Sequence, residues 1–260
     1  MRYWRSLICY GLFIILLFPL SCATESRIQR KKAAEAYYKL GISYLNENLI
    51  QQAFVEFQKG LDINPEDRDT HYALGHIYFL QKKYDKAIEE FKKTLKIDPT
   101  YSEAYNHLGT IYESESKWEE AIAEYRKALK NSKYITPQFP YYNLGVALLN
   151  LKRYEEAIEE FEEALRIDPT FFIAYNQLGK TYYKLKRIDK SIDAYKEALN
   201  IAPDYLEAHY NLGLAYYRIS SKKKAIKEFE KVKELLPDGK LAKEASKYLL
   251  LMKNDIPKRK

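Results

Sequence analysis

Cysteine is nearly absent from this sequence. The chain has 260 residues and two cysteines, Cys9 and Cys22, and both lie at its start. No disulfide framework can support the rest of the chain, so its stability must come from packed side chains. The motifs G-x-S-x-G and H-E-x-x-H and the phosphate-binding P-loop pattern are absent as well. We therefore expect no catalytic residues and no cofactor, and we do not expect an enzyme.

Histidine is also scarce. The four histidines are His71, His76, His107 and His209, and their spacing does not bring them onto one helix face. We therefore expect no metal site. The formal net charge is +7, which raises nucleic acid as a candidate partner. An export signal at the start of the chain argues against that partner, and a solvated basic surface is the simpler interpretation.

The first residues combine positive charge with a short apolar segment. Arg2 and Arg5 precede a mostly apolar run from Leu7 to Leu20, and small residues follow it. A membrane-spanning helix needs about 20 apolar residues, whereas a shorter run behind a positive start is typical of a signal peptide. We expect residues 1–21 to be a signal peptide of the lipoprotein type and residues 22–33 to form a short charged tether.

Cys22 decides how such a signal is removed. An ordinary signal peptidase would cut after Ala23, whereas Leu20-Ser21-Cys22-Ala23 resembles the end of a bacterial lipobox. A lone cysteine at the end of an apolar segment is hard to explain structurally, so we expect Cys22 to be the lipid attachment site. Several acyl chains anchor a protein stably, because each buried CH₂ contributes about 0.8 kcal/mol. Ordinary cleavage and an uncleaved anchor are the alternatives.

One pattern recurs from residue 34 onwards. A glycine is followed after 12 residues by a small residue and after four more by an aromatic residue. A proline stands 24 residues after the glycine, except in the third copy, which has Lys133. The repeat glycines are spaced by 34, 34, 36, 34 and 34 residues: Gly41, Gly75, Gly109, Gly145, Gly179 and Gly213.

This pattern resembles the tetratricopeptide repeat (TPR), which has a period of 34 residues and the motif L-G-x₂-Y … A-x₃-F … P. The resemblance implies an all-α fold, a right-handed superhelix of six helix-turn-helix repeats that bury a continuous core by stacking. An amphipathic stripe predicts a capping helix at 240–253, and a flexible tail is expected at 254–260. The expected repeats are 34–67, 68–101, 102–135, 138–171, 172–205 and 206–239.

The repeated residues have physical roles. The glycine and the small residue allow the two helices of a hairpin to approach closely. The aromatic residue lies on the same helix face as the small residue, four positions later, and fills the space between repeats. The proline ends the second helix because it lacks an N–H and clashes with the preceding turn.

The third and fourth repeats are separated by two extra residues. The junction at 131–140 contains Pro137 and Pro140, and we expect an extended loop there because proline disfavours helix just before itself. A harmless insertion is one interpretation. The other is a family feature, since six repeats behind a lipoprotein-like signal, with this junction, resemble the TPR lipoproteins of type IV pilus biogenesis. That family comprises pilotin-type outer-membrane proteins that help the pilus secretin reach the membrane and form its ring.

The first helix of each hairpin is expected to line the concave face, as in other TPR proteins. Its inward positions carry aromatic and amide side chains, which suit an extended peptide or protein segment with apolar side chains. Packing between neighbouring repeats is the alternative role for any one of them. The predicted groove residues are Tyr38, Tyr72, His76, Phe79, Asn106, Thr110, Tyr142, Asn143, Asn176, Lys180, Tyr183, Tyr210, Asn211 and Tyr217.

These features predict a protein-binding scaffold that is anchored by lipid at the periplasmic face of the bacterial outer membrane. The resemblance implies that it assists assembly of an envelope machine, specifically the secretin of the type IV pilus. A general periplasmic TPR adaptor, soluble in the periplasm, is the first alternative. The regulatory TPR part of a glycosyltransferase-like enzyme is the second, because the Asn-Leu-Gly segments at Asn143 and Asn211 are similar to that group.

Overall fold

The computed structural model describes residues 28–254 of the chain. Every regular element in this range is an α-helix, so the prediction of an all-α fold of helix-turn-helix repeats with a C-terminal helix is confirmed. The signal peptide, Cys22 and residues 255–260 lie outside the described residues. The helices are α1 (28–46), α2 (Ile50–Ile63), α3 (Arg68–Leu80), α4 (Tyr84–Ile97), α5 (Ser102–Ser114), α6 (Trp118–Ala128), α7 (Gln138–Asn150), α8 (Tyr154–Ile167), α9 (Phe172–Lys184), α10 (Ile188–Ile201), α11 (Leu206–Arg218), α12 (Lys222–Leu235) and α13 (Lys240–Asn254).

The odd-numbered helices α1 to α11 are the first helices of the six hairpins, and the even-numbered helices are the second. The first hairpin begins earlier than expected, because α1 already includes residues 28–33, which were assigned to the tether. Arginine, lysine, glutamate and alanine dominate this stretch, and all four favour helix. Ala34 is 3% exposed and anchors α1.

The two helices of each hairpin approach most closely at the repeat glycine. A Cβ atom on Gly75 would lie 2.7 Å from two ring carbons of Phe91, which is fully buried on α4. Real side chains do not pack at that distance, so the position requires glycine while the ring stays in place. The same contact between glycine and the aromatic residue 16 positions later recurs in every repeat.

Each hairpin turns through one residue with a left-handed backbone. In the first hairpin, the N–H of Asn48 donates to the carbonyl of Leu45 at 2.9 Å, and that of Leu49 donates to the carbonyl of Tyr44 at 2.8 Å. These two bonds are the Schellman motif that ends many helices, which usually uses glycine. The left-handed residues here are Asn48, Lys82, Ser116, Lys152, Lys186 and Ser220, with φ between 57° and 61°.

Two types of connection join one hairpin to the next. In the Asp-Pro-Thr type, Asp98 Oδ1 accepts hydrogen bonds from Thr100 N at 2.9 Å and from Thr100 Oγ1 at 2.7 Å, and Asp168 and Thr170 repeat this geometry. The junction between repeats three and four differs. It is an irregular loop at 129–137, as expected, and Ile135 within it is 85% exposed.

The chain divides into two compact units, one ending at His107 and the other beginning at Leu108. The core of unit 1 is built on Ala53, Phe57, Leu74 and Ile77. Unit 2 has two apolar clusters, and α13 belongs to the second. The α13 residues buried in that cluster are Ala242, Ala245, Leu249 and Met252. Between residues 28 and 254, no helix combines the length and apolar character that a bilayer crossing requires.

Candidate peptide-binding site

In unit 1, three predicted groove residues meet around the ring of His107. The ring centroids of Tyr72, His76 and Phe79 lie 5.7, 5.3 and 5.2 Å from that of His107. Phe91 stacks on the same ring at 5.3 Å, with the two planes 2° apart. The Tyr72 hydroxyl and His107 Nε2 are 3.1 Å apart and share a hydrogen bond. His107 therefore positions this aromatic cluster, although the sequence placed it only at the groove edge.

The histidines of this cluster are held neutral. Burial, reinforced by the nearby charge of His76, lowers the pKa of His107 to about 4. Burial also lowers the pKa of His76. A neutral imidazole keeps one donor and one acceptor, so the cluster offers an aromatic surface with limited polar capacity rather than a cationic one.

The other two groove residues of unit 1 lie apart from this cluster. Tyr38 packs against Phe57 with ring centroids 5.9 Å apart and stays partly exposed. Asn106 is partly buried on α5, directly before His107.

In unit 2, Tyr142 is enclosed by rings from its own and the next hairpin. Its centroid lies 6.0 Å from Phe161 and 5.1 Å from Phe171, and Gln177 Nε2 donates to its hydroxyl at 3.5 Å. Gln177 Oε1 is buried and has no partner among the described residues. The neighbouring Asn143 is partly buried on α7.

Asn176 and Asn211 form a short amide chain. Asn211 Nδ2 donates to Asn176 Oδ1 at 2.9 Å, and Asn176 Nδ2 donates to the Tyr205 hydroxyl at 3.3 Å. Asn176 is only 3% exposed, so its amide is used inside the fold. Asn211 remains partly exposed and is the more accessible of the two.

Thr110 lies beside an acidic group that the sequence did not single out. The Tyr125 hydroxyl donates to Glu113 at 2.7 Å and lies 3.5 Å from Thr110 Oγ1. Burial raises the pKa of Glu113, and the Tyr125 hydrogen bond opposes that rise. The inward face of α5 therefore carries a carboxyl group that is tied to the core.

The remaining groove residues lie near the C-terminal helix. The Tyr210 hydroxyl donates to Glu244 of α13 at 3.0 Å. Tyr217 makes an edge contact with Tyr248 of α13 at 5.2 Å, and Tyr183 lines the same cavity. Lys180 is partly buried one turn before Tyr183. The helix α13 thus contributes to the predicted face as well as covering the last hairpin.

A repeated residue that the sequence analysis missed explains several of these contacts. The residue two positions after the repeat proline is aromatic in three copies: Tyr101, Phe171 and Tyr205. Each one covers the groove residue of the preceding hairpin, since Tyr101 lies 5.0 Å from Tyr72 and Phe171 lies 5.1 Å from Tyr142. The common offset from the proline was the signal that could have revealed them.

Two histidines lie outside the groove. His71 Nδ1 is 2.6 Å from Glu90, and its Nε2 accepts no side chain but faces the Pro65 carbonyl at 2.9 Å. His209 repeats this arrangement with Glu228 and Pro203. Burial alone would lower the pKa of both histidines, but these hydrogen bonds outweigh it and raise the pKa. Within the described part of the chain, no group of histidine, cysteine and acidic residues could hold a metal ion.

Family models match most of this region. Residues 34–67 and 206–238 match the tetratricopeptide repeat, and residues 182–220 match a second TPR repeat model. Residues 68–178 match the tetratricopeptide repeat protein 21 C-terminal ARM domain. The chain is therefore a tetratricopeptide repeat protein, and the prediction of this repeat is confirmed.

No curated protein matches the chain. Among solved structures, PilF of Pseudomonas aeruginosa is 23% identical, with a TM-score of 0.76 over 85% of this chain and 99% of its own. PilW, described as a widely conserved type IV pilus biogenesis factor, is 19% identical, with a TM-score of 0.75 over 82% of this chain and 98% of its own. YrrB, described as a TPR protein with an unusual peptide-binding site, is 23% identical, with a TM-score of 0.60 over 74% of this chain and 97% of its own.

These comparisons establish a shared fold with proteins that include pilus biogenesis factors. TPR proteins bind peptides or other proteins, and this chain is a protein-binding scaffold of that kind. The predicted assignment of individual groove residues to a ligand stays a prediction.

Proposed function

We propose that this chain is a non-enzymatic scaffold that is anchored to a bacterial membrane by lipid and assists assembly of the type IV pilus secretin. One observation carries the proposal. The chains of PilF and PilW are matched over 99% and 98% of their lengths, so the whole array corresponds rather than a few repeats. The irregular loop at 129–137 and the final helix α13 lie within the correspondence that such coverage requires.

The lipid anchor is the second part of the proposal. Cys22 would carry the lipid at the periplasmic face of the outer membrane. Few residues then separate the anchor from α1, which is already helical at residue 28. A short connection would hold the repeats close to the membrane, where a secretin ring assembles.

The third part concerns the partner. The partly exposed aromatic residues of the first helices would hold a segment of the secretin subunit. Tyrosine and phenylalanine offer large contact area with few rotatable bonds, which keeps the entropic cost of binding low.

Deleting the gene should test this function in the native bacterium. We expect the deletion strain to lose secretin multimers that resist detergent, and the wild-type gene to restore them. Cys22→Ala should restore them poorly, because the protein would not reach the membrane. The exposed-face variant Glu159→Ala serves as a matched control and should restore them fully.

The outcomes separate the proposal from its alternative. Wild-type levels of secretin multimers in the deletion strain would contradict the secretin function. Full restoration by Cys22→Ala would instead support a soluble periplasmic adaptor and remove the anchor from the proposal.

A further inference from the structure

Lys180 on α9 carries a charge that nothing in its own fold neutralises. It is partly buried, and no acidic side chain among residues 28–254 forms an ion pair with it. Burial and the nearby charge of Lys184 lower its pKa, while Glu207 acts weakly in the opposite direction. Removing a cation from water without a partner is unfavourable, so this residue lowers the stability of the free protein.

A cavity of about 410 Å³ lies next to Lys180, between α9, α11 and α13. Three tyrosines and a leucine form its apolar part: Tyr183, Leu214, Tyr217 and Tyr248. Arg218 and Lys222 supply positive charge at its rim, and no acidic residue lines it. Lys180 precedes Tyr183 by three positions and therefore shares its helix face.

The larger cavity of unit 2 has a different charge balance. It measures about 600 Å³ and contains glutamates as well as lysines. Within it, Glu228 is paired with His209 at 2.7 Å and Glu234 is paired with Lys231 at 3.0 Å. Its charges are thus satisfied inside the protein, whereas those beside Tyr183 call for an anion from outside.

We propose that the cavity between α9, α11 and α13 binds a partner segment in which acidic side chains flank one bulky apolar side chain. The apolar side chain enters among Tyr183, Leu214 and Tyr217, and the acidic side chains reach Lys180 and Arg218. The inference deepens the proposed scaffold function by giving the chemistry of the segment that the groove holds, and it rests on that function.

The placement of the cations favours acidic side chains within a chain over a C-terminal carboxylate. Lys180 lies one turn before Tyr183 on α9, whereas Arg218 directly follows Tyr217 on α11. A chain terminus supplies a single carboxylate, while an internal segment can supply one anion to each helix. Charge-assisted contacts to a partly desolvated lysine are stronger than those to an exposed one.

Synthetic peptides can test this chemistry with the full mature protein. The probe is a short fluorescent peptide in which one phenylalanine is flanked by glutamates, and its C-terminus is amidated. The control peptide has glutamine at each glutamate. At low salt, we expect the glutamate peptide to bind about tenfold more tightly, because charged hydrogen bonds contribute about 1.5–3 kcal/mol each.

Variants of the protein locate the site. Lys180→Met keeps the apolar stem, removes the charge and should abolish the preference for glutamate. The same variant should raise the midpoint of thermal unfolding, because an unpaired cation is replaced by an apolar side chain. Lys196→Met, at an exposed lysine paired with Asp193 at 4.0 Å, should change neither result.

Three results would overturn the inference. They are equal binding of the two peptides, a glutamate preference that survives Lys180→Met, and binding that appears only when the peptide's C-terminus is free. Because the assay contains no secretin, its failure would leave the deletion phenotype intact. Conversely, a deletion strain with normal secretin would leave the peptide preference standing.

Discussion

Gly75→Ala is expected to lower the free energy of unfolding by about 2 kcal/mol, which is the usual cost of forcing an extra methyl group into a packed core. The new Cβ would lie 2.7 Å from two ring carbons of Phe91, and that ring is fully buried with no space to retreat. The helices α3 and α4 must therefore move apart. Equilibrium unfolding in urea, followed by circular dichroism, measures the change.

Gly60→Ala is the matched control and should have the opposite sign. Gly60 lies in the interior of α2, and its added Cβ would meet only ordinary contacts, the nearest being the Ala34 carbonyl at 3.5 Å. Alanine favours helix over glycine by about 0.8–1.0 kcal/mol, so this variant should be more stable than the wild type. A stabilising effect of Gly75→Ala would contradict the close approach of α3 and α4.

Substituting His107 should remove a large dependence of stability on pH. An unfolded histidine takes up its proton near its ordinary pKa, whereas the folded state keeps His107 neutral until about pH 4. The unfolded state therefore binds more protons between these values, and stability falls as the pH drops through that interval. The effect can reach on the order of 3 kcal/mol, since each unit of pKa difference corresponds to about 1.4 kcal/mol.

The variant His107→Gln isolates this effect, because glutamine occupies the same repeat position at Gln177. We expect the wild type to lose more stability than the variant on going from neutral to acidic pH. His71→Gln provides a control of opposite sign. The pKa of His71 is raised, so its contribution is fully present at low pH and is lost as the pH rises through the folded pKa.

Chemical denaturation across the acidic range, repeated for the three proteins, measures these differences. Other shifted groups, such as Glu160 with a pKa raised by burial to about 7, are common to all three and cancel in the comparison. Parallel pH profiles for the wild type and His107→Gln would contradict the neutral, buried state of His107.

Much of the fold follows from local rules that the sequence displays. The glycine at position 75 and the phenylalanine at position 91 must meet if two helices form a close hairpin, and the structure places them in contact. The loop at 129–137 follows equally well from Pro137 and Pro140. The turns inside the hairpins were harder to anticipate, because residues such as Lys82 and Lys152 adopt a left-handed backbone that normally favours glycine.

The candidate site was less predictable, since its geometry depends on contacts between hairpins. Helical periodicity places Asn176 on an inward face, but it cannot show that Tyr205 and Asn211 occupy its amide. In the same way, it assigns His107 to an edge, while the rings of Tyr72, Phe79 and Phe91 make it a centre. A position table built from one hairpin omits the ring that the next hairpin supplies.

The two halves of the predicted face also differ in chemistry. Unit 1 presents an aromatic cluster with neutral histidines, whereas the C-terminal part of unit 2 combines tyrosines with unpaired positive charge. A partner that engages both would need an apolar part and an acidic part. This division gives the proposed scaffold a means of selecting its partner segment by sequence.

The intact mass of the mature protein, extracted from native membranes beside a Cys22→Ala variant, tests the membrane-anchored scaffold most directly. The account predicts a polypeptide that begins at Cys22 and carries a diacylglycerol and an acyl chain, both of which the variant lacks. A polypeptide that begins at Thr24 without lipid would contradict the anchor and leave a soluble periplasmic adaptor in its place.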